Sequence, residues 1–272
     1  MANFNNVSST NTIKGWLSYP IGILQLVAYS GPLRNTLAIA WKEIKSYFSS
    51  PMAYVVAAFF VTWCAIWFVR GTIDSTFPEA TIRGFLYFFL TWWIIILISS
   101  VLTMRLFAEE AKLGTLELLL TAPVKDYEIV IGKFLSTLVM MLASLALTLY
   151  FVLLLFWFGD PDPGPIFSGY LGIILLWSTI LAIGLFASSL TNNQIVSFVV
   201  TTAITGFFFI IDVAAGRLTG VAADILNNLS LLGHIDDFGR GVIDISNVVY
   251  YISFTVVFLF LTVISLEMRR WR

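Results

Sequence analysis

Charged residues are scarce in this sequence. Asp, Glu, Lys and Arg together make up 11% of its 272 residues, compared with roughly 25% in an ordinary soluble domain. Hydrophobic residues make up 59%, and the mean hydropathy is +0.91. A soluble fold this apolar would need a charged surface that the sequence does not supply. The composition therefore predicts an all-α integral membrane protein, with lipid as its solvent.

Cysteine and histidine are almost missing, with Cys64 and His234 the single residue of each type. One cysteine forms neither an intramolecular disulfide nor a CxxC metal site, so Cys64 is expected to be a small buried hydrophobe. The sequence contains no HExxH, GxSxG or GxxxxGK[ST] motif. We therefore expect no enzyme chemistry, no metal site and no ATP-binding P-loop in this chain. The net charge of −1 provides no basic field for nucleic acid.

Runs without charge are long enough to cross a membrane. A spanning helix needs about 20 mostly apolar residues, and six runs approach or exceed that length. Because these runs hold no ionisable group, a carrier or proton pump working alone is disfavoured. We expect Asp212 to close the fifth run and residues 191–194 to form a tight hairpin before it. The predicted spans are 52–69, 85–104, 134–158, 169–190, 195–211 and 248–266.

Basic residues are distributed unevenly between the predicted loops. With a cytoplasmic N-terminus, eleven of the fifteen Lys and Arg fall on the cytoplasmic side. The positive-inside rule therefore favours cytoplasmic N- and C-termini. The cytoplasmic group is Lys14, Arg34, Lys42, Lys45, Arg105, Lys112, Lys125, Lys133, Arg269, Arg270 and Arg272, and the external group is Arg70, Arg83, Arg217 and Arg240.

An amphipathic pattern precedes the first predicted span. Over residues 35–50, apolar residues recur at helical spacing and the charged residues lie off that stripe. We predict a helix in the plane of the cytoplasmic interface, with Asn35 as its N-cap and Pro51 opening the next element. The alternative is that this segment merely extends the first span. The apolar stripe is Leu37, Trp41, Ile44 and Phe48, and the charged residues are Lys42, Glu43 and Lys45.

The loop between the second and third predicted spans carries the densest charge of the chain. Its sequence from 105 to 123 is RLFAEEAKLGTLELLLTAP. Gly114 is expected to end one short helix and Thr115 to cap another, with Glu117 in its first turn. This second helix, over 115–121, either docks into a soluble partner or lies on lipid without a partner. Its apolar face is formed by Leu116, Leu119 and Leu120.

Six stretches in register resemble the permeases of ABC-2 type transporters, and most of all their gliding-associated GldF-like subgroup. The resemblance covers residues 35–272 and leaves 1–34 as a cytoplasmic N-terminal extension without an assigned role. The stretches are RLFAEEAKLGTLELLLTAPV with the following EIVIGKF, WKEIKSYFSSPMAYVV, FGDPDPGPIFSGYLG, AIGLFASSLTNNQIVSF, HIDDFGRGVIDISNVVYY and SLEMRRWR.

The resemblance implies a six-helix permease of a bacterial inner membrane, with an amphipathic elbow helix over 35–50. It also implies a second permease copy or a related permease, and two ABC ATPase subunits that bind ATP and Mg. The chain itself would bind no cofactor. Helix 115–121 would be the coupling helix, with Glu109 and Glu110 beside the dock, Gly114 at the bend, and Glu117 and Leu118 on the partner. The implied ATPase-coupling residues are Glu109, Glu110, Gly114, Thr115, Glu117, Leu118 and Leu119.

The segment 214–247, between the fifth and sixth predicted spans, is long for a connection in a helical bundle. Residues 221–232 are apolar at helical spacing, and the resemblance implies short re-entrant helices that close the outer end of a path. An aspartate–Arg240 pair is expected to pin these helices rather than to contact cargo. An accessory envelope protein is a further possible partner on this side. The implied gate or pinning residues are His234, Asp237, Phe238 and Arg240.

Aromatic and small residues in the spans have two interpretations each. Trp92, Trp93, Phe207 and Phe208 are candidates for lining an apolar path, and the alternative is contact with lipid or core. Small residues allow helices to approach closely, either inside one subunit or at a dimer face. These small residues are Gly172, Ala182, Gly184, Ala187, Ser188 and Ser189.

Two functions are compatible with the sequence. The first is the membrane subunit of an ABC exporter, in which a separate ATPase drives substrate movement. The second is a membrane scaffold that transports nothing and anchors an ATPase and envelope partners, as in a gliding or secretion apparatus. The spans do not identify a substrate.

Overall fold

The computed structural model describes residues 32–73, 89–121, 124–159, 161–216, 220, 226 and 228–270. The predicted N-terminal extension 1–34 lies almost wholly outside these residues, as does most of the predicted apolar helix 221–232. The described part of the chain is helical and contains no β-strand. In chain order its helices are α1 (Pro32–Ser49), α2 (Pro51–Ile73), α3 (Phe89–Thr103), α4 (Ala108–Lys112), α5 (Thr115–Thr121), α6 (Asp126–Phe158), α7 (Pro163–Leu190), α8 (Gln194–Ala215), α9 (Asp236–Gly239) and α10 (Ile245–Arg270).

Five of these helices are long and apolar enough to cross a membrane. They correspond to the first, third, fourth, fifth and sixth predicted spans. The second predicted span, 85–104, corresponds to α3, whose 15 described residues fall short of a full crossing, and residues 85–88 lie outside the described part. Six spans therefore stay a prediction. The five crossing segments are Pro51–Val69, Asp126–Trp157, Pro163–Leu190, Gln194–Ile211 and Ile245–Arg270.

Several helices extend beyond the predicted uncharged runs. Helix α6, the third predicted span, begins at Asp126, because the Glu128 carboxylate accepts the backbone N–H of Lys125 at 3.2 Å and so satisfies a donor at the start of this helix. Helix α7, the fourth predicted span, begins at Pro163, where Asp162 accepts the N–H of Gly164 at 3.0 Å. The crossing segment of the fifth predicted span ends at Ile211, directly before Asp212 as predicted, whereas α8 itself continues to Ala215, since an aspartate costs a helix end well under about 1 kcal/mol.

The long helices run up and down between two ends of the bundle. One end, here called the basic end, holds α1, the turn from 104 to 125, the hairpin 191–193 and the last turn of α10. Two side chains make hydrogen bonds between segments of the chain at this end. The Tyr47 hydroxyl donates to the Leu102 carbonyl at 2.8 Å, and Arg269 donates to Asn192 at 2.8 Å. The opposite end holds residues 161–162 and 228–244, so α2 leaves the basic end and α3 returns to it.

Helix α7 lies at the centre of the bundle. Its Trp177 is fully buried, and the Trp177 indole N–H donates to Ser99 on α3. Glycines permit the close contacts: a Cβ on Gly172 would lie 2.8 Å from Phe238, and one on Gly184 would overlap Thr103. The prediction that the small residues of this helix pack inside one subunit is therefore confirmed, since Gly172, Ala182, Gly184, Ala187, Ser188 and Ser189 are all buried within the chain.

Candidate functional site

The turn between α3 and α6 folds into two short helices, as the sequence predicts. Gly114 ends α4 with φ of +72°, in the left-handed region that favours glycine. Helix α5 then has the predicted bounds Thr115–Thr121. Thr115 is its first residue rather than its N-cap, and its hydroxyl donates to the Glu110 carbonyl at 3.3 Å. This bond ties the start of α5 back to α4.

The inner face of α5 is anchored on the bundle. Leu116 and Leu120 are 3% and 7% exposed, and they pack with Ile129 of α6 and Leu266 of α10. Leu119, predicted on the same face, is only partly buried. The guanidinium of Arg270 donates to the Leu120 carbonyl at 2.7 Å. Helix α5 is thus attached to two long helices at once.

The outer face of α5 is exposed. Glu117 points to solvent, and Leu118 next to it is 71% exposed. Leu113, just before the bend, is 67% exposed. Leu113 and Leu118 flank the start of a helix whose other face is already buried. Two exposed leucines with an acidic residue between them form the kind of patch that contacts another protein or a membrane.

Glu109 and Glu110 are engaged inside the chain. Glu109 pairs with Arg105 at 2.9 Å, one helical turn away, and this hydrogen bond raises the pKa of Arg105. Glu110 pairs with Lys133 at 2.9 Å. These two glutamates therefore shape the turn, whereas Glu117 and Leu118 are the residues that α5 presents outward.

Lys133 is the centre of a buried ionic cluster that the sequence analysis did not single out. Its side chain is 1% exposed and lies 3.1 Å from Glu43 of α1 and 2.9 Å from Glu110 of α4. Its ammonium also donates to the Leu106 carbonyl at 2.8 Å. Two carboxylates and one carbonyl at these distances offset the free-energy cost of removing the lysine ammonium from water. One available signal was its position, directly before the third uncharged run.

Helix α1 lies against α6 with its apolar stripe turned away from the bundle. Leu37, Trp41 and Phe48 are 39%, 53% and 42% exposed, whereas Thr36 and Ala40 are buried. The predicted N-cap at Asn35 is wrong, because the helix begins at Pro32, a favourable first helical residue. The Asn35 amide instead donates to Glu128 at 3.1 Å. A break at Ser50 separates α1 from α2.

A groove of about 530 Å³ separates α1 from α5. Tyr47 forms part of its wall, and burial raises the pKa of the Tyr47 hydroxyl well above its usual value, so this phenol remains a neutral donor. The groove brings together most of the predicted ATPase-coupling residues. Its lining consists of Lys42, Glu43, Ser46, Tyr47, Ser50, Arg105, Leu106, Glu109, Glu110, Leu113, Thr115, Leu118 and Leu119.

At the opposite end, the predicted pinning residues are held by contacts other than the expected ion pair. Phe238 is fully buried, and its carbonyl accepts the Ser168 hydroxyl at 2.7 Å. Asp237 accepts the Asn247 amide at 2.9 Å. The Arg240 side chain is exposed and has no carboxylate within 4.0 Å among residues 32–73, 89–121, 124–159, 161–216 and 228–270. The expected Asp–Arg pair is therefore not formed there, and Asn247 takes its place beside Asp237.

His234 is held by an aromatic contact at this end. Its ring stacks on Tyr250 with centroids 3.9 Å apart. Its Nδ1 lies 2.9 Å from the Ser230 carbonyl. The contact joins the connection before α10 to the first turns of that helix.

The four candidate path-lining aromatics do not form one surface. Trp92 is 6% exposed and belongs to the core, which favours the alternative interpretation for this residue. Trp93 is partly buried, with its ring near Gly206 of α8. Phe207 is 62% exposed, and Phe208 packs edge-to-face on Phe254 at 5.4 Å.

Comparison with known proteins gives one family match. Residues 80–268 match the model of a family described as ABC-2 family transporter protein. The matched region is more than two-thirds of the chain and includes α4, α5, Lys133 and the whole opposite end, whereas α1 precedes it. The comparison with curated proteins found no match.

Proposed function

Since the chain belongs to the ABC-2 transporter family, we propose that it is an exporter permease that works with two cytoplasmic ABC ATPase subunits. A second copy of the chain, or a related permease, completes the membrane part. ATP and Mg are bound by the ATPases, and this chain supplies the helices that move. We also propose that it belongs to the gliding-associated GldF-like subgroup, which its sequence stretches resemble.

The observation that carries this proposal is the two-faced structure of α5. Its inner leucines are fixed to α6 and α10, while Glu117 and Leu118 face outward. A helix placed in this way receives a push on its outer face and passes it to the bundle through the inner one. We assign the outer face to a groove on the ATPase.

The proposed mechanism follows from these attachments. ATP binding brings the two ATPase subunits together and displaces the two copies of α5. Because Arg270 holds the Leu120 carbonyl at 2.7 Å and approaches Asp126 at 3.6 Å, α10 and α6 follow that displacement. The two membrane halves then tilt apart and open a path between them. The segment from 228 to 244 would close the outer end of the path in the resting state.

We propose six spans in a bacterial inner membrane, with the basic end and both termini in the cytoplasm. The return of α3 to the basic end supports an even number of crossings between Ser50 and Arg105. The basic residues that cluster at this end support its cytoplasmic location. The exposed stripe of Leu37, Trp41 and Phe48 on α1 suits an elbow helix at the cytoplasmic lipid surface.

The test is co-purification in mild detergent with the ATPase encoded beside this chain. We expect wild type to retain the ATPase and Glu117→Lys to lose it, because the substitution reverses the charge at the centre of the exposed face. Glu267→Lys is the matched control: the same exchange at an exposed position on α10, away from the outer face of α5, and it should leave the complex intact.

Three results would change the proposal. Retention of the ATPase by both variants would place the docking contact elsewhere. A folded wild-type chain that retains no ATPase would remove the energy source and contradict the exporter. A stable complex whose ATP turnover never responds to candidate cargo would favour the non-transporting scaffold, which anchors an ATPase and an envelope partner.

A further inference from the structure

We propose that Lys133 is a positioning residue that locks α1 to the turn carrying α5, so that the two move as one body. This inference rests on the proposed function, because the motion concerned is the one that an ATPase would impose on α5. It goes beyond docking, since Lys133 lies away from the outer face of α5 and is fully buried.

Several segments of the chain meet at one ammonium group. Lys133 belongs to α6, yet its polar contacts reach Glu43 on α1 at 3.1 Å, Glu110 on α4 at 2.9 Å and the Leu106 carbonyl at 2.8 Å. An ammonium has three N–H donors, and three acceptors are in reach. One side chain therefore joins α1, the turn and α6.

The two carboxylates depend on this lysine for charge compensation. One oxygen of Glu110 is buried and has no hydrogen-bond partner within the described part of the chain. The other cation near Glu110 is Lys42, which is 3.8 Å away and 71% exposed, so solvent screens much of its attraction. Without Lys133, two carboxylates would face each other in a largely buried site.

Backbone packing brings α1 onto α6 and not onto α5. Gly132 lies so close to α1 that a Cβ there would be 2.9 Å from the Thr36 carbonyl oxygen. Between α1 and α5, in contrast, lies the groove of about 530 Å³. Glu43 and Glu110 both line this groove, and Lys133 joins them, so the ionic cluster determines the position of α1 relative to the turn that carries α5.

If the ionic cluster only stabilised the fold, neutral variants that still fold would keep the distance between α1 and α5 unchanged. Replacing every member of a buried ionic cluster with neutral residues is often tolerated, whereas removing one member is strongly destabilising. We therefore use the triple variant Glu43→Gln/Glu110→Gln/Lys133→Met, which keeps the side-chain volumes and removes the charges. Glu110→Gln alone is the second variant, and it removes the charge that attracts Lys133 and the more exposed Lys42 to α4.

The experiment measures the distance between spin labels on α1 and α5 by pulsed electron paramagnetic resonance in nanodiscs. Labels are attached at Lys45→Cys and Thr121→Cys, both exposed positions. Cys64 is fully buried, and a chain with this single cysteine measures background labelling. The matched control is Arg105→Gln/Glu109→Gln. It neutralises a neighbouring ion pair whose two residues both lie in the turn before α5, so this pair does not join α1 to the turn.

We expect one narrow distance in wild type and in the control, unchanged between the ATP-free complex and the complex trapped with Mg-ATP and vanadate. The triple variant should fold and bind the ATPase, yet show a broadened distance that shifts on trapping. Glu110→Gln should broaden the distance distribution to a smaller extent. If the triple variant does not fold, Glu110→Gln alone tests whether Lys133 locks α1 to the turn. Narrow, unshifted distances in the folded triple variant or in Glu110→Gln would overturn the lock and leave the exporter proposal intact.

Failure of the exporter proposal gives a different result. In that case wild type binds no ATPase, while the comparison of distance widths in the chain alone still shows whether Lys133 joins α1 to the turn. Equal widths in wild type and in the variants would again overturn the lock.

Discussion

Ser188 joins the central helix to the turn that carries α5. Its hydroxyl oxygen accepts the N–H groups of Phe107 and Ala108, each at 3.1 Å, and all three residues are buried. In Ser188→Ala both N–H groups lose their acceptor, and each buried unsatisfied donor costs about 1–3 kcal/mol. We expect the free energy of unfolding to fall by at least about 2 kcal/mol, as measured by denaturation in mixed micelles.

Ser178→Ala on the same helix is the control for this prediction. Its hydroxyl donates to the Ile174 carbonyl of its own helix at 2.6 Å, and that carbonyl keeps its helical N–H when the serine is removed. We expect a loss of no more than about 0.5 kcal/mol. Equal losses at Ser178 and Ser188 would contradict the role given to Ser188.

Gly172 and Gly206 make a second matched pair. A Cβ at Gly172 would lie 2.8 Å from Phe238, whereas at Gly206 the nearest atom would be 3.8 Å away on Trp93. Gly172→Ala should therefore displace Phe238, at a cost of about 1–3 kcal/mol, and speed protease cleavage within 228–244. Gly206→Ala should not change cleavage. Unaltered cleavage in Gly172→Ala would show that Phe238 does not hold this segment.

At the scale of the element, α5 separates anchoring from docking. Leu116→Ala empties a buried site, and such truncations cost about 2–5 kcal/mol, so the thermal stability should fall. Leu118→Ala removes an exposed side chain, so stability should stay constant while affinity for the ATPase falls. Thermal unfolding and ATPase binding, measured on both variants, check this separation. Reduced stability in Leu118→Ala with unaltered ATPase binding would mean that Leu118 lies on the anchoring face of α5 and not on the docking face.

The sequence predicts α5 well and α1 only in part. The bounds of α5 depend on local signals, namely Gly114 at the bend and leucines at helical spacing, and local signals are readable without a fold. The stripe on α1 faces away from the bundle, which is compatible with the predicted interfacial helix, but the contact of Glu43 with Lys133 on the inner face has no local signal. That lysine lies 90 residues further along the chain, and a contact over such a separation leaves no periodicity in the sequence.

At the scale of the whole molecule, the proposed topology has a direct labelling test. Six spans place Lys45 and Lys112 on the cytoplasmic side and Ser246 on the outer side. In intact cells, a membrane-impermeant maleimide should therefore react with Ser246→Cys and should reach Lys45→Cys and Lys112→Cys only after permeabilisation. Reaction of Lys45→Cys and Lys112→Cys from different sides would mean that α3 does not belong to a crossing.

The central claim is that the outer face of α5 contacts an ATPase, and a photo-crosslinker at position 118 tests it most directly. The matched control is position 153 on α6, where Leu153 is 68% exposed within a crossing segment and at the end remote from α5. After irradiation of intact membranes, mass spectrometry identifies the attached molecule. The account predicts an ATPase peptide at position 118 and only lipid at position 153. Lipid alone at position 118 would show that α5 lies on the membrane surface, and would contradict the docking of an ATPase there.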